Sequence, residues 1–560
     1  MSEHAITQAA HERAPVYVSG KPLAAIFGAL MLAMLVSALD QTIVSTALPT
    51  IVGDLGGQSQ LSWVVTGYIL TSTVSTPLYG KIGDMVGRKG LFMLAIVIFL
   101  IGSALSGQAQ NMSQLIGFRA LQGLGAGGLM VGSQAIIGDV VPPRERGRYM
   151  GYFGGVFALA TVAGPLIGGF FVDNLSWRWV FYVNVPIGIA ALIVIALVLH
   201  LPRHRIEHRI DWVGAAVLSA GTTAIILMVT WGGTQYPWGS WQTFGLALLG
   251  LGFLGAWAVI EQHVPEPILA LQFFKNRVFT VSSIVGFLVG FAMFGAIIFL
   301  PQYMQIVKGE SATNSGLQLV PMMVGLLFAS ILSGQLISRT GKYKVWPILG
   351  TGIAVLAMAL FATLQPQTSM LLVTLYMVIL GIGFGCCMQV LVVAVQNAVQ
   401  YRDLGAATSA ATFFRSMGGA IGVAVFGSIF SNSLANTIPK ALHSIPIPVL
   451  IANRKVLETL AGHNAASVSA TPVFIDHLPS AIHTPFIAGY ANSIDLVFWG
   501  AVPFMVIAFL FSWFLREIPL RERGGHLHML EGVDEGFGSS TPSDPETTLP
   551  EGKPGAMTEA

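Results

Sequence analysis

Asp40 stands inside an apolar stretch, in the run Leu39-Asp40-Gln41-Thr42-Ile43-Val44-Ser45-Thr46-Ala47-Leu48-Pro49. If that stretch crosses a membrane, a carboxylate at its centre costs about 2.5–3.5 kcal/mol even on a mild insertion scale. Such a group faces a bundle interior or a wet cavity, where it pairs with a cation or exchanges a proton. A structural aspartate that only accepts hydrogen bonds is the plainer reading of the same position. Two arginines, Arg119 and Arg415, also lie in apolar stretches and need a partner or water for the same reason. An arginine beside a carboxylate favours its charged form, and loss of water favours the neutral one. A proton carrier needs that balance to shift between two conformations, whereas a static buried ion pair does not.

Composition says which elements must hold these groups. Charged residues are 10% of the 560-residue chain, against about 25% in an ordinary soluble domain. Hydrophobic residues reach 54%, and a mean hydropathy of +0.72 places the whole chain in a bilayer. The net charge of +2 is too small to suggest a nucleic-acid partner. Cys386 and Cys387 are the only cysteines and are adjacent, which excludes a disulfide framework. No Cys/His set has metal-site spacing and no phosphate-binding Gly-rich loop is present, so neither a metal, a cofactor nor ATP-driven work is expected. The first 22 residues are polar, so the first apolar helix is expected to act as an uncleaved anchor.

Apolar segments recur near 24–48, 61–82, 91–109, 113–137, 149–172, 179–201, 212–231 and 242–261, then near 278–300, 315–338, 346–365, 370–398, 405–434 and 493–515. Each is long enough to span, and none has the alternation of barrel strands, so fourteen transmembrane helices are predicted. With both termini cytoplasmic, 21 of the 28 Lys and Arg fall on the inner side and 5 on the outer, which decides the orientation. The expected division is a cytoplasmic N-terminal tail over 1–22, a six-helix half over 23–201, two linking helices over 202–277, and a second six-helix half over 278–515. The second half includes a long polar outer loop at 436–490, and 516–560 has the composition of a disordered cytoplasmic tail. Gly80 to Lys89 follows the second span, and Gly334 to Tyr343 follows the tenth with the same spacing of outer glycines. Two repeats around a central site are the architecture of many secondary transporters.

At this point a family resemblance becomes specific. Gly80-Lys81-Ile82-Gly83-Asp84-Met85-Val86-Gly87-Arg88-Lys89 resembles the loop signature of the major facilitator superfamily. Arg119-Ala120-Leu121-Gln122-Gly123-Leu124-Gly125-Ala126-Gly127 resembles its fourth-helix signature. Ala160 through Gly164-Pro165-Leu166-Ile167-Gly168-Gly169 resembles the fifth-helix antiporter signature, with Ala160 for its usual leading Gly. Leu39 to Pro49 is similar to the first-helix signature of fourteen-span drug:proton antiporters of the EmrB/QacA type, with Ser45 where Asn is common. Trp177 to Gly188 and Phe414 to Gly422 resemble further marks of that subfamily. The resemblance runs over roughly 24–515 and implies an all-α major facilitator fold, two six-helix halves plus two extra helices.

These motifs also have readings of their own. Gly83 and Gly87 allow a tight turn, and Asp84 can cap a helix N-terminus or pair with Arg88. The family implies that this loop latches the halves at the cytoplasmic face; mere positive-inside topology is the alternative. Asp40 and Arg119 stand at similar depth, about eight and six residues from the outer ends of their helices, so a charge pair is possible. Pro165 cannot donate to the carbonyl of Thr161, and Gly164, Gly168 and Gly169 leave a smooth face for a neighbouring helix. Glycine pairs elsewhere, such as Gly123/Gly127 and Gly418/Gly422, read as ordinary helix packing. Arg415 can bind an anionic group or hold a gate through backbone carbonyls. Trp177, Arg178 and Trp179 are expected as an interfacial anchor.

The function expected is secondary active export, in which protons are exchanged for a small amphipathic, drug-like compound across the cytoplasmic membrane. Asp40 is the expected protonation site, modulated by Arg119, and Gln41, Tyr68 and Gln134 are guessed to line a pocket between the halves. With Asp173, Glu261 and Asp495 placed at span ends, Asp40 is the one deep acid, which favours monovalent-cationic or neutral lipophilic substrates. Export of an endogenous lipid or secondary metabolite is the alternative within transporters. A membrane-embedded lipid-modifying enzyme would need a nucleophile–base or metal set inside the spans, and the sequence offers none that convinces. A non-transporting sensor or scaffold is the third class. The partners implied are the bilayer, protons and the substrate, and no accessory export partner is specified.

Overall fold

The structure, a computed structural model, describes residues 17–56, 60–200, 210–233, 235–443 and 479–520. Among them every regular element is a helix, apart from one isolated bridge between Gly232 and Tyr236. The N-terminal half comprises α1 (Gly20–Leu55), α2 (Leu61–Val86), α3 (Arg88–Gly107), α4 (Met112–Val140), α5 (Pro143–Asn174) and α6 (Asn184–Val198), the last preceded by a single turn at Trp179–Tyr182. Then come α7 (Trp212–Trp231) and α8 (Trp241–Glu261). The C-terminal half comprises α9 (Arg277–Gln302), α10 (Val320–Thr340), α11 (Val345–Phe361), α12 (Met370–Ala398), α13 (Leu404–His443) and α14 (Ser480–Trp513). Twelve helical stretches of the described residues are long and apolar enough to cross a bilayer. Of the two others, α11 is shorter and α2 carries more Ser, Thr and Lys. A helix stands at each of the fourteen segments expected from hydropathy, in an all-helical multi-pass membrane protein.

Helix starts follow ordinary capping. Asn111 accepts from the amide of Gln114 at 2.9 Å, Asp211 from Gly214 at 2.8 Å, and Asn276 from Val278 at 2.9 Å. Gly341 ends α10 in the left-handed conformation, φ 72°. Inside each half the helices approach to backbone contact. A Cβ on Gly125 of α4 would lie 2.5 Å from the amide nitrogen of Phe99 and 2.6 Å from the carbonyl of Ala95 on α3. With no hydrophobic effect between helices in lipid, such close approach is what holds a membrane bundle.

The halves meet along two helix pairs, α2 with α13 and α5 with α10. Gly80 lies so close to α13 that a Cβ there would be 2.6 Å from the Gly405 carbonyl. A Cβ on Gly147 of α5 would be 2.9 Å from the Gly334 carbonyl of α10. Both crossings lie at the end of the bundle that carries most Lys and Arg, here the basic end. Toward the opposite end α5 stays against the C-terminal half, with Pro165 near Gly316, whereas α1 and α9 are not packed along one another. The cleft is therefore shut at the basic end. Helices α7 and α8 pack on each other, and α7 leans on α2 and α13.

Four expectations need correcting. Helix α13 runs on to His443 and α14 begins at Ser480, so the expected loop 436–490 is shorter; 444–478 lies outside the described residues. The early start of α14 places Asp495 at its sixteenth residue, inside the helix rather than at a span end, with Oδ1 buried and unpartnered. Trp177 is buried, 2% exposed, and donates to Asp54 Oδ2 at 2.8 Å; among its neighbours only Trp179 is placed as an anchor would be. The start of the 516–560 tail is tied down. Tyr343 Oη donates to the Arg516 carbonyl at 2.8 Å, and Asn397 Nδ2 to that of Ile518 at 3.1 Å. Burial pushes the Tyr343 phenol up to about 12, so it stays a donor at any physiological pH. Residues 521–560 lie outside the described residues.

Replacing Gly125 by Ala must push α3 and α4 apart, an overpacking cost of about 1–3 kcal/mol. The expected result is a clear drop in the melting temperature of the purified protein, followed by tryptophan fluorescence in detergent. Gly117→Ala, with nothing within 4 Å of its added Cβ, should leave the melting temperature where it is. Equal behaviour of the two variants would refute the close-packing account.

Candidate functional site

A carboxylate with no water around it must be satisfied by protein donors. Asp40 is fully buried in the middle of α1, and two other helices serve it. Arg119 of α4 forms an ion pair with Oδ2 through Nη1. Gln122, one turn along α4, donates to Oδ1 at 2.8 Å, and Asn184 at the head of α6 donates to the same oxygen at 2.9 Å. Arg119 is 2% exposed, also bonds Gln122 Oε1 at 2.7 Å, and lies 4.2 Å above the Tyr68 ring of α2. A desolvated cation–π contact of that kind contributes up to about 2 kcal/mol. Tyr68 Oη donates to the Ser37 carbonyl at 3.2 Å, and Asn184 also donates to Ser103 at 3.0 Å. Carboxylate, guanidinium and amides thus close into one network across α1, α2, α3, α4 and α6.

The glycine-bearing face of α5 packs on α1 beside this network. Thr42 donates to the Ala160 carbonyl at 2.8 Å, a Cβ on Gly164 would lie 2.6 Å from the Thr42 Cβ, and one on Gly168 2.9 Å from the Ile43 carbonyl. Gly169 faces open space. The helix that carries Asp40 therefore rests on a surface almost without side chains, next to a proline that removes one backbone bond.

At the basic end a second polar cluster joins the halves. Arg88 pairs with Asp84 at 2.7 Å and with Asp139 at 3.1 Å, and bonds the Ala135 carbonyl. Asp84 accepts from the backbone amides of Gly405 at 3.1 Å and Ala406 at 2.7 Å, capping α13 from the other half of the protein. A carboxylate at a helix N-terminus gains from both the free N–H groups and the dipole. Gly83 lies beside the Arg88 side chain with room for a Cβ, 3.6 Å from the arginine Cγ, and Gly87 turns the chain between α2 and α3 at φ 104°.

The remaining expected residues divide. Tyr68 belongs to the Asp40 network rather than to an open pocket. Gln41 is exposed, one residue past Asp40. Gln134 is buried between the halves: its Oε1 accepts from Thr412 at 3.2 Å, and its carbonyl from Gln396 at 3.2 Å. Arg415 is buried beside α12 with one long bond, to the Met388 carbonyl at 3.4 Å. Gln122, Asn184, Ser103 and Asp139 were not singled out from sequence. The first two lie inside motifs quoted above, but their facing toward Asp40 depends on which helices touch.

The sequence profile of the Major Facilitator Superfamily matches residues 30–423. The chain belongs to the major facilitator superfamily. An uncharacterised MFS-type transporter of Mycobacterium tuberculosis is 41% identical to it over 94% of this chain and 73% of its own length. The multidrug transporter protein MdtP of Bacillus subtilis is 37% identical over 88% and 93%. Among solved structures, the proton:xylose symporter XylE superposes with a TM-score of 0.56 at 16% identity, over 91% of this chain and 98% of that one, which shows the shared fold. As a major facilitator protein the chain is a transporter, not an enzyme; the Asp40 network lies within the N-terminal half, and the Asp84–Arg88 cluster ties that half to α13.

If Asp84 holds the basic end shut, Asp84→Asn should loosen it. In a background without Cys386 and Cys387, a cysteine replacing Thr412 should react with a membrane-impermeant maleimide several-fold faster once Asp84 is Asn. Equal labelling rates would show that the carboxylate does not hold the closure.

Proposed function

We propose that this protein exports lipophilic or cationic drug-like compounds across the cytoplasmic membrane in exchange for protons, as a member of the fourteen-span drug:proton antiporters. The observation that carries the reading is Asp40, a carboxylate with no access to water whose neutralising partners sit on two other helices. Any movement of α1 against α4 and α6 strips donors from it and makes proton uptake favourable. The same movement in reverse returns Arg119, Gln122 and Asn184 and expels the proton. Proton affinity is thereby tied to conformation, which is what coupling requires. The names of relatives support the direction of transport: besides MdtP, an efflux pump of Gibberella moniliformis is 34% identical over 89% of this chain.

The basic end is assigned to the cytoplasm, with both termini on that side, because Lys and Arg gather there. The structure is then closed inward and its cleft faces out. The driving force is the proton gradient, worth about 2.3 kcal/mol per charge per 100 mV, with no nucleotide or cofactor. Helices α5 and α1, in contact over glycines, supply a bearing on which the Asp40 helix can shift. The partners are protons, the bilayer and a small amphipathic substrate.

The test is transport of rhodamine 123 by the purified chain in liposomes under an imposed pH gradient. Asp40→Asn is expected to lose at least tenfold of the gradient-driven flux while remaining monodisperse and binding the dye. Equal gradient-driven flux in the variant would remove Asp40 from coupling, and absence of flux in the wild type would sink the export reading.

A further inference from the structure

Arg415 is a buried charge outside both polar clusters. This residue of α13 is 5% exposed, and among the described residues its only hydrogen bond is the 3.4 Å contact from Nη1 to the Met388 carbonyl; Nη2 has no partner among them. Its flank is closed by α9, where a Cβ on Gly290 would lie 3.1 Å from the arginine Cγ. Helix α12 carries no charged residue, and α9 carries only Arg277 at its start. Acids on the other helices touching α13 are engaged or remote. Asp84 caps Gly405 and Ala406, about 14 Å down the axis of α13. Asp139 is held by Arg88. Asp495, two residues from the Ser493 that meets Ser433, lies about 24 Å up the axis. Asp40 is neutralised by Arg119. Among the described residues no carboxylate serves Arg415.

The residue after its sole acceptor shares the deficit. Gln389 is 2% exposed, and neither Nε2 nor Oε1 has a partner. It stands seven residues before Gln396 and so on the same face of α12. Gln396 faces the other half, donating to the Gln134 carbonyl and to Thr408 Oγ1, both at 3.2 Å. Nε2 of Gln134 is also unpartnered. Among the described residues three N–H donors thus stand without acceptors on α4, α12 and α13, one of them cationic, beside the unpartnered amide oxygens of Gln389 and Gln396. Gln134 bonds Thr412, which is three residues before Arg415 on α13, and Gln396, which is two turns past Gln389 on α12, so all three stand along the seam between the halves. Each unmade buried bond costs about 1–3 kcal/mol, more for a charged group. A set of donors with surplus positive charge is complementary to one kind of group, an oxyanion.

We infer that Arg415 and Gln389, with the amide of Gln134, bind the oxyanion head (carboxylate, sulfonate or phosphate) of an amphipathic compound carried by this protein. The inference rests on the export reading and extends it from lipophilic and cationic compounds to acidic ones. The contacts that cover the site are the Gln134–Thr412 and Gln134–Gln396 bonds between the halves, so parting of the basic end uncovers it toward the side from which an exporter loads. Nη2 of Arg415 is open to an oxyanion, and a guanidinium that turns Nη1 from the Met388 carbonyl can take two oxygens at once, which a lysine cannot reproduce.

The experiment compares two dyes built on one xanthene frame, anionic fluorescein and cationic rhodamine 123, in liposomes holding the purified chain. The wild type is expected to move both. Arg415→Gln should raise the fluorescein KM at least tenfold and lower the fluorescein-to-rhodamine flux ratio by a similar factor. Arg415→Lys should recover part of that ratio, and Gln389→Leu should raise the fluorescein KM several-fold, which keeps the test alive if the first variant does not fold. A proportional fall for both dyes would assign Arg415 to packing or gating and overturn the inference. So would a wild type that moves rhodamine 123 but not fluorescein, leaving export itself standing. A wild type that moves neither dye would remove the export reading and this one with it.

Discussion

A charge can remain inside a helical bundle only where neighbouring helices replace the water it has lost, and the N-terminal half is arranged around that requirement. Asp40 alone would be costly to bury. Its oxygens receive Arg119, Gln122 and Asn184 from two other helices, and Arg119 is steadied by Tyr68 from a third. Removing one partner of such a pair costs about 3–5 kcal/mol, because the survivor is left bare. The network therefore fixes the distances among α1, α2, α4 and α6 more tightly than apolar packing in lipid can. It also gives the half two electrostatic states, a neutralised carboxylate with its donors in place and a protonated one without them.

The C-terminal half meets the same requirement differently. At the place where it buries a charge, no carboxylate was built to meet it, and amide groups around Arg415 are left with unmade bonds. The glycine contacts that crowd α9 against α13 hold the guanidinium in place despite that cost. Repeated helices thus carry dissimilar electrostatics: a satisfied acid on one side of the cleft and an unsatisfied base on the other. The asymmetry lies in the side chains, since the helix framework of the two halves corresponds.

Much of this was legible in the residues. The apolar runs gave the helices, and Asp84 was recognisable as a group able to cap a helix, although the helix it caps, α13, lies more than 300 residues further along the chain. The depth of Asp40 and Arg119 could be read from their distances to span ends, and the two side chains do touch. What spacing could not give was lateral geometry. Asn184 looks like one polar residue at a span start until α6 is known to stand beside α1. Gln134 looks like a pocket residue, but it lies in the seal between the halves. Asp495 was misplaced for a simpler reason: α14 begins thirteen residues earlier than hydropathy suggests, through polar but helical sequence from Ser480.

The two crossings between the halves are unlike in a way that bears on how the molecule must move. The α5–α10 pair is in contact from Gly147 and Gly334 at the basic end through Gly151 and Ser330, and Pro165 still meets the C-terminal half at Gly316. The α2–α13 pair is fastened at its basic end, at Gly80 and Asp84. A seam joined along its length can roll but not gape, whereas one fastened at a tip can swing wide. Rocking of the halves is then lopsided, with α5 and α10 as the spine of the book and α2 and α13 as its opening pages. The mouth that results on the basic side borders α7, which gives the two helices outside the repeats a place at the doorway rather than at the rim.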